Sequence, residues 1–357
     1  MPETTPPDDT AATPSERRTR WSRPRRRPRQ VNLMLELLVV AAVATGLTSW
    51  AVGDRWSGWL TTAHGVIGLS LLVLAPAKLR GSVAAGFRRG RATRWVSATF
   101  GGLVLATAAL GIAHATGLWY GVGYWTPLWT HELFGFVIIP LFVWHLVSRP
   151  VRPRVTDLDR RALIGGGLVV TAAAGAYLSQ ETVARVAGLA GGDRRGTGSH
   201  EVASHDPAAM PTVIWLDDRR PADTGAAGWP LIVAGEPVTV AALRARARPV
   251  VATLDCTGGW WSEQSWDAVP LADLLPDPRG RSVEVTSRTG YSRLFGLDAL
   301  DEVYLAVGYG GEPLRPGHGA PVRLVVPGRR GPWWVKWVTT VEPSDRPSWW
   351  QLPLPLT

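Results

Sequence analysis

Cysteine is almost missing from this chain. Cys256 is the single thiol in 357 residues, which excludes a disulfide within the chain and any disulfide-stapled scaffold. A lone cysteine is either a small buried apolar residue or, once deprotonated, a soft metal ligand. Lysine is nearly as scarce. Lys78 and Lys336 are the only lysines among 38 basic side chains, so arginine carries the net charge of +9. A compact ammonium and a flat guanidinium do different work, so a lysine kept against that bias marks a position of interest. The arginines are also unevenly placed. They crowd residues 17–29, 80–94 and 149–161, and each cluster abuts a hydrophobic run. That placement argues against a nucleic-acid partner and for a bilayer.

Five apolar runs, at about 32–52, 58–79, 95–117, 127–148 and 161–180, have the roughly 20 residues that a membrane span needs. The loops after the second and fourth runs are arginine-rich, and those after the first and third carry almost no positive charge. The positive-inside rule then predicts a multi-pass cell-membrane protein. Its N-terminus would be cytoplasmic and everything after the fifth span extracytoplasmic. Trp50, Trp56, Trp59, Trp95, Trp119, Trp125 and Trp129 stand at span ends, where amphipathic rings favour the interface. Residues 1–30, rich in Pro, Thr and Arg, read as a disordered basic cytoplasmic tail. Residues 31–180 read as an all-α bundle of five transmembrane helices. The fifth run opens on Asp159-Arg160-Arg161 before a weakly hydrophobic Ala/Gly/Thr stretch. That resembles a twin-arginine export signal, which serves domains already folded around a cofactor.

Ionisable residues inside spans point to function. His64, His114 and His131 fall near the outer ends of the second, third and fourth runs, and His145 near the inner end of the fourth. Two histidines on facing helices can grip one haem b. His64 with His131 is the preferred pair, with His114 as substitute. The arrangement resembles the membrane cytochromes b that feed redox domains, with half their diheme ligand set.

Residues 181–211 read as a polar linker without periodicity. From 212 to 357 the pattern changes to short strands punctuated by Gly and Pro, as at Val213–Leu216, Pro230–Ala234, Val283–Ser287, Tyr304–Val307 and Val322–Val326. This predicts a strand-rich α+β domain with its own core.

The chemistry-bearing residues of that domain come in order. Gly228-Trp229-Pro230-Leu231 opens it, Leu254-Asp255-Cys256 precedes Gly258, and Trp266-Asp267 leads to Leu274-Leu275. Then come Thr289-Gly290-Tyr291, Gly317-His318-Gly319 with Arg323, and Val335-Lys336-Trp337. Arg323 offers a planar fork to a phosphate and Lys336 a point charge. Small residues around them let the backbone approach a bulky ligand.

This ordered set resembles the sulfite oxidase family of molybdopterin-dependent oxidoreductases. The resemblance implies a molybdenum–molybdopterin cofactor, with Cys256 as the catalytic metal ligand. It also implies that His318, Arg323, Trp334, Val335 and Lys336 bind the pterin. Two departures stand out. Basic residues usually follow the family's cysteine to hold an anion, whereas here Gly258, Gly259, Trp260 and Trp261 follow. The family's C-terminal dimerisation domain is also expected to be absent. Oxygen-atom transfer on a less charged substrate is therefore expected, with reduction of an S- or N-oxide, small or protein-bound, favoured over sulfite oxidation. Electrons would be exchanged with quinone or a redox partner protein through the membrane half. The combination looks like a fusion of the two parts of the bacterial methionine-sulfoxide-reducing system. Two alternatives stay open: a cofactor-free binding module on an anchor, and the same enzyme on a plain anchor with a soluble electron donor.

Overall fold

The computed structural model describes residues 28–53, 57–119, 125–213 and 219–352. The tail expected to be disordered lies, up to residue 27, outside the described residues. So do Trp56 and positions 214–216 of the first expected strand.

Five helices build the first half: α1 (Pro28–Ala51), α2 (Ser57–Arg88), α3 (Arg94–Thr116), α4 (Pro127–Ser148) and α5 (Arg160–Val186). Each is long and apolar enough to cross a bilayer. α2 is central and packs on α1, α3 and α5, while α3 also packs on α4. Leu38, Leu71, Val104, Ile138, Phe142 and Val169 form the apolar centre. α2 runs through Arg88, past the expected end at 79, and α5 runs past 180 to Val186. Charge ends an apolar run but does not break a helix, and arginine is a good helix former. Arg160 and Arg161 form the first turn of α5, which Asp159 caps by accepting the Ala162 N–H at 2.8 Å. Thr126 caps α4, its hydroxyl accepting the Trp129 N–H at 3.1 Å, with Pro127 at the first helical position.

The second half holds two sheets. One runs β1 (His200–Glu201), β5 (Trp260–Pro270), β8 (Tyr304–Tyr309), β10 (Arg323–Val325), with β4 (Arg248–Asp255) on β5 and β9 (Glu312–Pro313) on β8. The other runs β3 (Glu236–Pro237), β2 (Ile232–Val233), β11 (Val338–Ser344), β6 (Ser282–Ser287), β7 (Ser292–Gly296). Two short helices, α6 (Val240–Arg246) and α7 (Leu271–Leu274), flank them. In β5 burial alternates residue by residue, so Trp260, Ser262, Gln264, Trp266 and Ala268 face inward. The domain's core gathers Trp266, Leu305, Leu324, Trp337 and Val341.

Parts of the expected linker 181–211 are regular structure: the end of α5, a 3-10 turn at Ala190–Asp193 and β1. Arg194 then donates to the Ala115 carbonyl, to the Tyr177 hydroxyl and to Glu181. His200 and Glu201 form β1, parallel to β5. The segment looks like a linker because it is polar. Its polar groups are consumed by partners from both halves, which local pattern does not reveal.

Candidate functional site

Strands β4 and β5 pair antiparallel, with Asp255 opposite Trp261. The connecting turn is Cys256-Thr257-Gly258-Gly259. Cys256 N–H donates to the Trp260 carbonyl at 2.8 Å, and Gly259 N–H to the Cys256 carbonyl at 3.1 Å. Gly259 adopts φ +85°, a left-handed conformation that costs glycine nothing. The turn sets Cys256 at the hairpin tip, buried, with Gly258 N–H donating to its Sγ at 3.4 Å. Burial pushes the thiol up, while the Gly258 N–H and the charges of Arg330 and Lys336 pull the other way.

A second cluster lies within electrostatic reach of that sulfur. Arg323, 1% exposed, opens β10 and stacks between Trp266 and Trp334, 4.9 and 5.4 Å from the ring centres. Its Nε and Nη1 are buried without a hydrogen-bond partner among the described residues, and no carboxylate pairs with it there. Burial lowers its pKa to about 10, so it stays cationic at neutral pH. His318 Nδ1 shares a hydrogen bond with the Tyr309 hydroxyl at 2.9 Å, and its Nε2 is buried outside hydrogen-bond geometry to any described residue. Burial first, then Arg323 and Lys336, hold His318 down at about 4, so it is neutral at pH 7. Gly319 joins these residues. A Cβ there would stand 3.0 Å from Arg323 Cβ and 3.1 Å from Lys336 Cα, at φ +102°. Lys336 Nζ donates to the Val213 and Gly317 carbonyls at 2.7 and 2.6 Å, tying this loop together. Trp334 and Val335 are buried, Trp334 bonding through Nε1 to the Arg329 carbonyl at 2.9 Å. The structure thus gathers all six residues that the sequence pointed to in this domain.

Sequence reasoning gave Asp255 only as part of the cysteine motif, with no role of its own, and missed Arg330. Asp255, 3% exposed, accepts from Thr197 and Ser199 at 2.6 and 2.7 Å and pairs with Arg330 at 3.4 Å. Arg330 donates to the Cys256 carbonyl at 2.8 Å and, from its other end, to the Ser49 carbonyl of α1 at 3.0 Å. One guanidinium therefore ties the cysteine turn to the helical bundle. Asp255 directly precedes the cysteine and was legible as an acid beside it; nothing local marks Arg330.

In the bundle, His64 and His131 face each other, ring centres 5.8 Å apart and planes at 75°. His131 Nδ1 donates to the Thr107 carbonyl at 2.7 Å. His64 Nδ1 meets Thr45 Oγ1 at 3.0 Å, and the Thr45 proton is already given to the Ala41 carbonyl at 2.7 Å. Both rings thus carry their proton on Nδ1 and keep the lone pair on Nε2. His114 goes elsewhere. Its Nε2 meets the Gly198 carbonyl at 3.1 Å, and its ring packs on His200 at 4.8 Å. His145 stacks on Phe100, 5.7 Å away. His64, His114 and His131 line one mostly apolar cavity of about 260 Å³, which reaches Thr257, Gly259 and Arg330 beside Cys256. Two expected interfacial tryptophans turn inward, which corrects their assignment. Trp50 is buried and donates to Glu132 at 2.9 Å, and Trp129 points towards the cysteine turn.

Residues 221–350 match the family described as oxidoreductase molybdopterin binding domain. Short stretches resemble curated proteins. The chain is 48% identical over 54 residues to a nitrate reductase [NADPH] of Mycosarcoma maydis, covering 15% of this chain and 6% of that protein. It is 46% identical over 57 residues to the mitochondrial sulfite oxidase of Homo sapiens, covering 15% and 10%. The chain thus spans a tenth or less of the length of these relatives. Among solved structures, the sulfane dehydrogenase SoxCD from Paracoccus pantotrophus aligns at 27% identity with a TM-score of 0.32, covering 35% of this chain and 40% of that one.

Proposed function

We propose, from the premise that residues 221–350 form an oxidoreductase molybdopterin binding domain, that this chain is a membrane-anchored enzyme that removes oxygen from an uncharged S- or N-oxide. One observation carries the cofactor reading. Arg323 is a buried cation with two unpartnered N–H groups and no carboxylate beside it. An unpaired buried charge is costly, so an anionic or strongly polar ligand belongs there. A pterin ending in phosphate fits, because Arg323, His318 and the Lys336 loop converge around Gly319. Cys256 would hold molybdenum through sulfur, giving up its proton on ligation. The bound cofactor would supply the two-electron redox chemistry. The net reaction breaks the X–O bond, consumes two electrons and two protons, and releases X and water. A quinol supplies both.

The turn after Cys256 favours an uncharged substrate. Gly258, Gly259, Trp260 and Trp261 stand where a cation would hold sulfite.

The bundle cavity supports electron entry through one haem b. His64 and His131 offer two Nε2 lone pairs, with both Nδ1 atoms fixed by acceptors, as ligating histidines require. One turn further along each helix stand Gly68 and Gly135. Both line the cavity, and a Cβ on either would meet nothing within 4 Å. The His114 substitute is disfavoured because its Nε2 already has a partner. The haem would relay single electrons towards the cysteine turn.

The arginine clusters support a cytoplasmic N-terminus and an extracytoplasmic second half. Contacts of that half with Ser49, His114 and Leu128, at the opposite helix ends from those clusters, agree. Arg160-Arg161 would then act as the twin-arginine signal, and 31–180 and 212–357 as the two working units.

The test is molybdenum and pterin per chain, with quinol-dependent reduction of dimethyl sulfoxide, in the native protein and a Cys256→Ala variant. Near-stoichiometric metal and oxide-dependent turnover, abolished in the variant, are expected. Absence of both metal and pterin from the native protein would favour the binding module. Metal without a Soret band would favour a plain anchor fed by a soluble donor.

A further inference from the structure

We propose that the substrate pocket is shared between the two halves, with Trp129 of α4 and Trp260 of β5 donating their indole N–H groups to the oxygen of the bound oxide. The proposal rests on the function above and deepens it.

Gly258 marks the place. A Cβ at Gly258 would lie 3.6 Å from Cys256 Sγ, 3.6 Å from Trp260 Nε1 and 3.6 Å from Trp129 Nε1, and these are its nearest neighbours. One atom-sized position beside the sulfur is thus equidistant from two N–H donors. Glycine leaves that position free of side chain. Trp260 is 8% exposed, and its Nε1 is buried without a partner. A buried indole N–H left unpaired is costly, so an acceptor is expected in front of it. Trp129 is half-buried. Its place is set by the Thr126 cap, whose hydroxyl holds the Trp129 backbone N–H.

The chemistry of the pair selects a class of ligand. Both donors are neutral. Arg330 has its Nη atoms committed to Ser49, Ser199 and Cys256 and pairs with Asp255. Two neutral donors return less to a desolvated anion than to a polar uncharged group. A polarised but uncharged X–O group accepts two N–H bonds on one oxygen and brings an apolar remainder that suits the aromatic wall. S-oxides and N-oxides share this chemistry, and sulfite does not.

The experiment uses the full chain in detergent, labelled with ¹⁵N-tryptophan, and Trp129→Phe, which keeps a ring and removes the N–H. Trp125→Phe, an exposed neighbour at 62%, is the control. In the native protein, dimethyl sulfoxide should shift the indole resonance that is missing from Trp129→Phe, and sulfite should not. In the molybdenum-loaded enzyme, Trp129→Phe should raise KM for dimethyl sulfoxide about tenfold, the equivalent of one lost hydrogen bond. Its kcat should stay within about twofold and its metal content should be unchanged. Trp260→Phe should behave alike. An unmoved Trp129 resonance together with an unchanged KM would overturn the shared pocket, and a stronger response to sulfite would overturn the uncharged class. Binding is read without turnover. A chain lacking molybdenum would therefore sink the function proposal while the indole shift still decides this one.

Discussion

The bundle cavity and the surroundings of Arg323 both present polar atoms, but of opposite character. In the bundle they are the lone pairs of two neutral imidazoles, each ring locked by an acceptor at Nδ1. In the sheet domain they are donors, the Nε and Nη1 of Arg323 and the indole N–H of Trp260. Lone pairs in an apolar cavity fit a metal cation. Clustered donors around a cation fit an anionic or oxygen-rich ligand. Under the proposed function the two halves would take ligands of opposite character, and the cysteine turn lies between them.

The largest effect should come from the bundle. His64→Ala or His131→Ala should abolish the Soret band of haem-replete protein, whereas His114→Ala should retain it, because His114 serves the junction. Loss in His114→Ala with retention in His131→Ala would reverse the assignment. Arg323→Met should cut bound pterin by at least about tenfold, in line with loss of a charge-assisted contact. In cofactor-free protein the same change should stabilise by about 1–3 kcal/mol, since it removes an uncompensated buried charge. Chemical denaturation reads both signs, and destabilisation of the cofactor-free form would mean that Arg323 has a partner in the protein itself.

Arg330→Gln should cost about 2–4 kcal/mol, because Asp255 then keeps a buried charge with less compensation. Its thermal unfolding should also separate the two halves into distinct transitions, since the Ser49 contact is lost. The smallest effect is a pH slope. The folded state keeps His318 unprotonated down to about 4, against a usual 6.5. Between these values the unfolded chain binds the extra proton, so stability should fall as pH drops from 6.5 towards 4. His318→Gln should flatten that part of the cofactor-free melting profile; an unchanged slope would assign it to other groups.

Much of the fold was legible because its causes are local or periodic. Runs of apolar residues mark the five helices, and alternation marks β5. Boundaries were less legible where charge was mistaken for a break, as at Arg80–Arg88. In the site, Cys256, His318, Arg323 and Lys336 stood out through scarcity and motif spacing. Trp50 and Trp129 misled, because a tryptophan at a span end has the same local setting whether it faces lipid or a neighbouring domain. Glu132, the role of Asp255, and Arg330 went unnoticed for a related reason: a buried polar residue is recognised by its partner, and their partners are 82, 56 to 58 and 281 residues away in Trp50, in Thr197 and Ser199, and in Ser49.

The amino-acid sequence alone determined the two-part organisation, the sidedness of the arginine clusters, the single thiol and the order of the pterin-type motif, because these follow from composition, hydropathy and short-range spacing. Only the tertiary structure decided that His64 rather than His114 faces His131, that part of the presumed linker forms β1 and contacts both halves, and that Trp129 comes to stand beside Cys256. Those facts depend on which helix face meets which turn, and that is settled by packing between segments far apart in the chain.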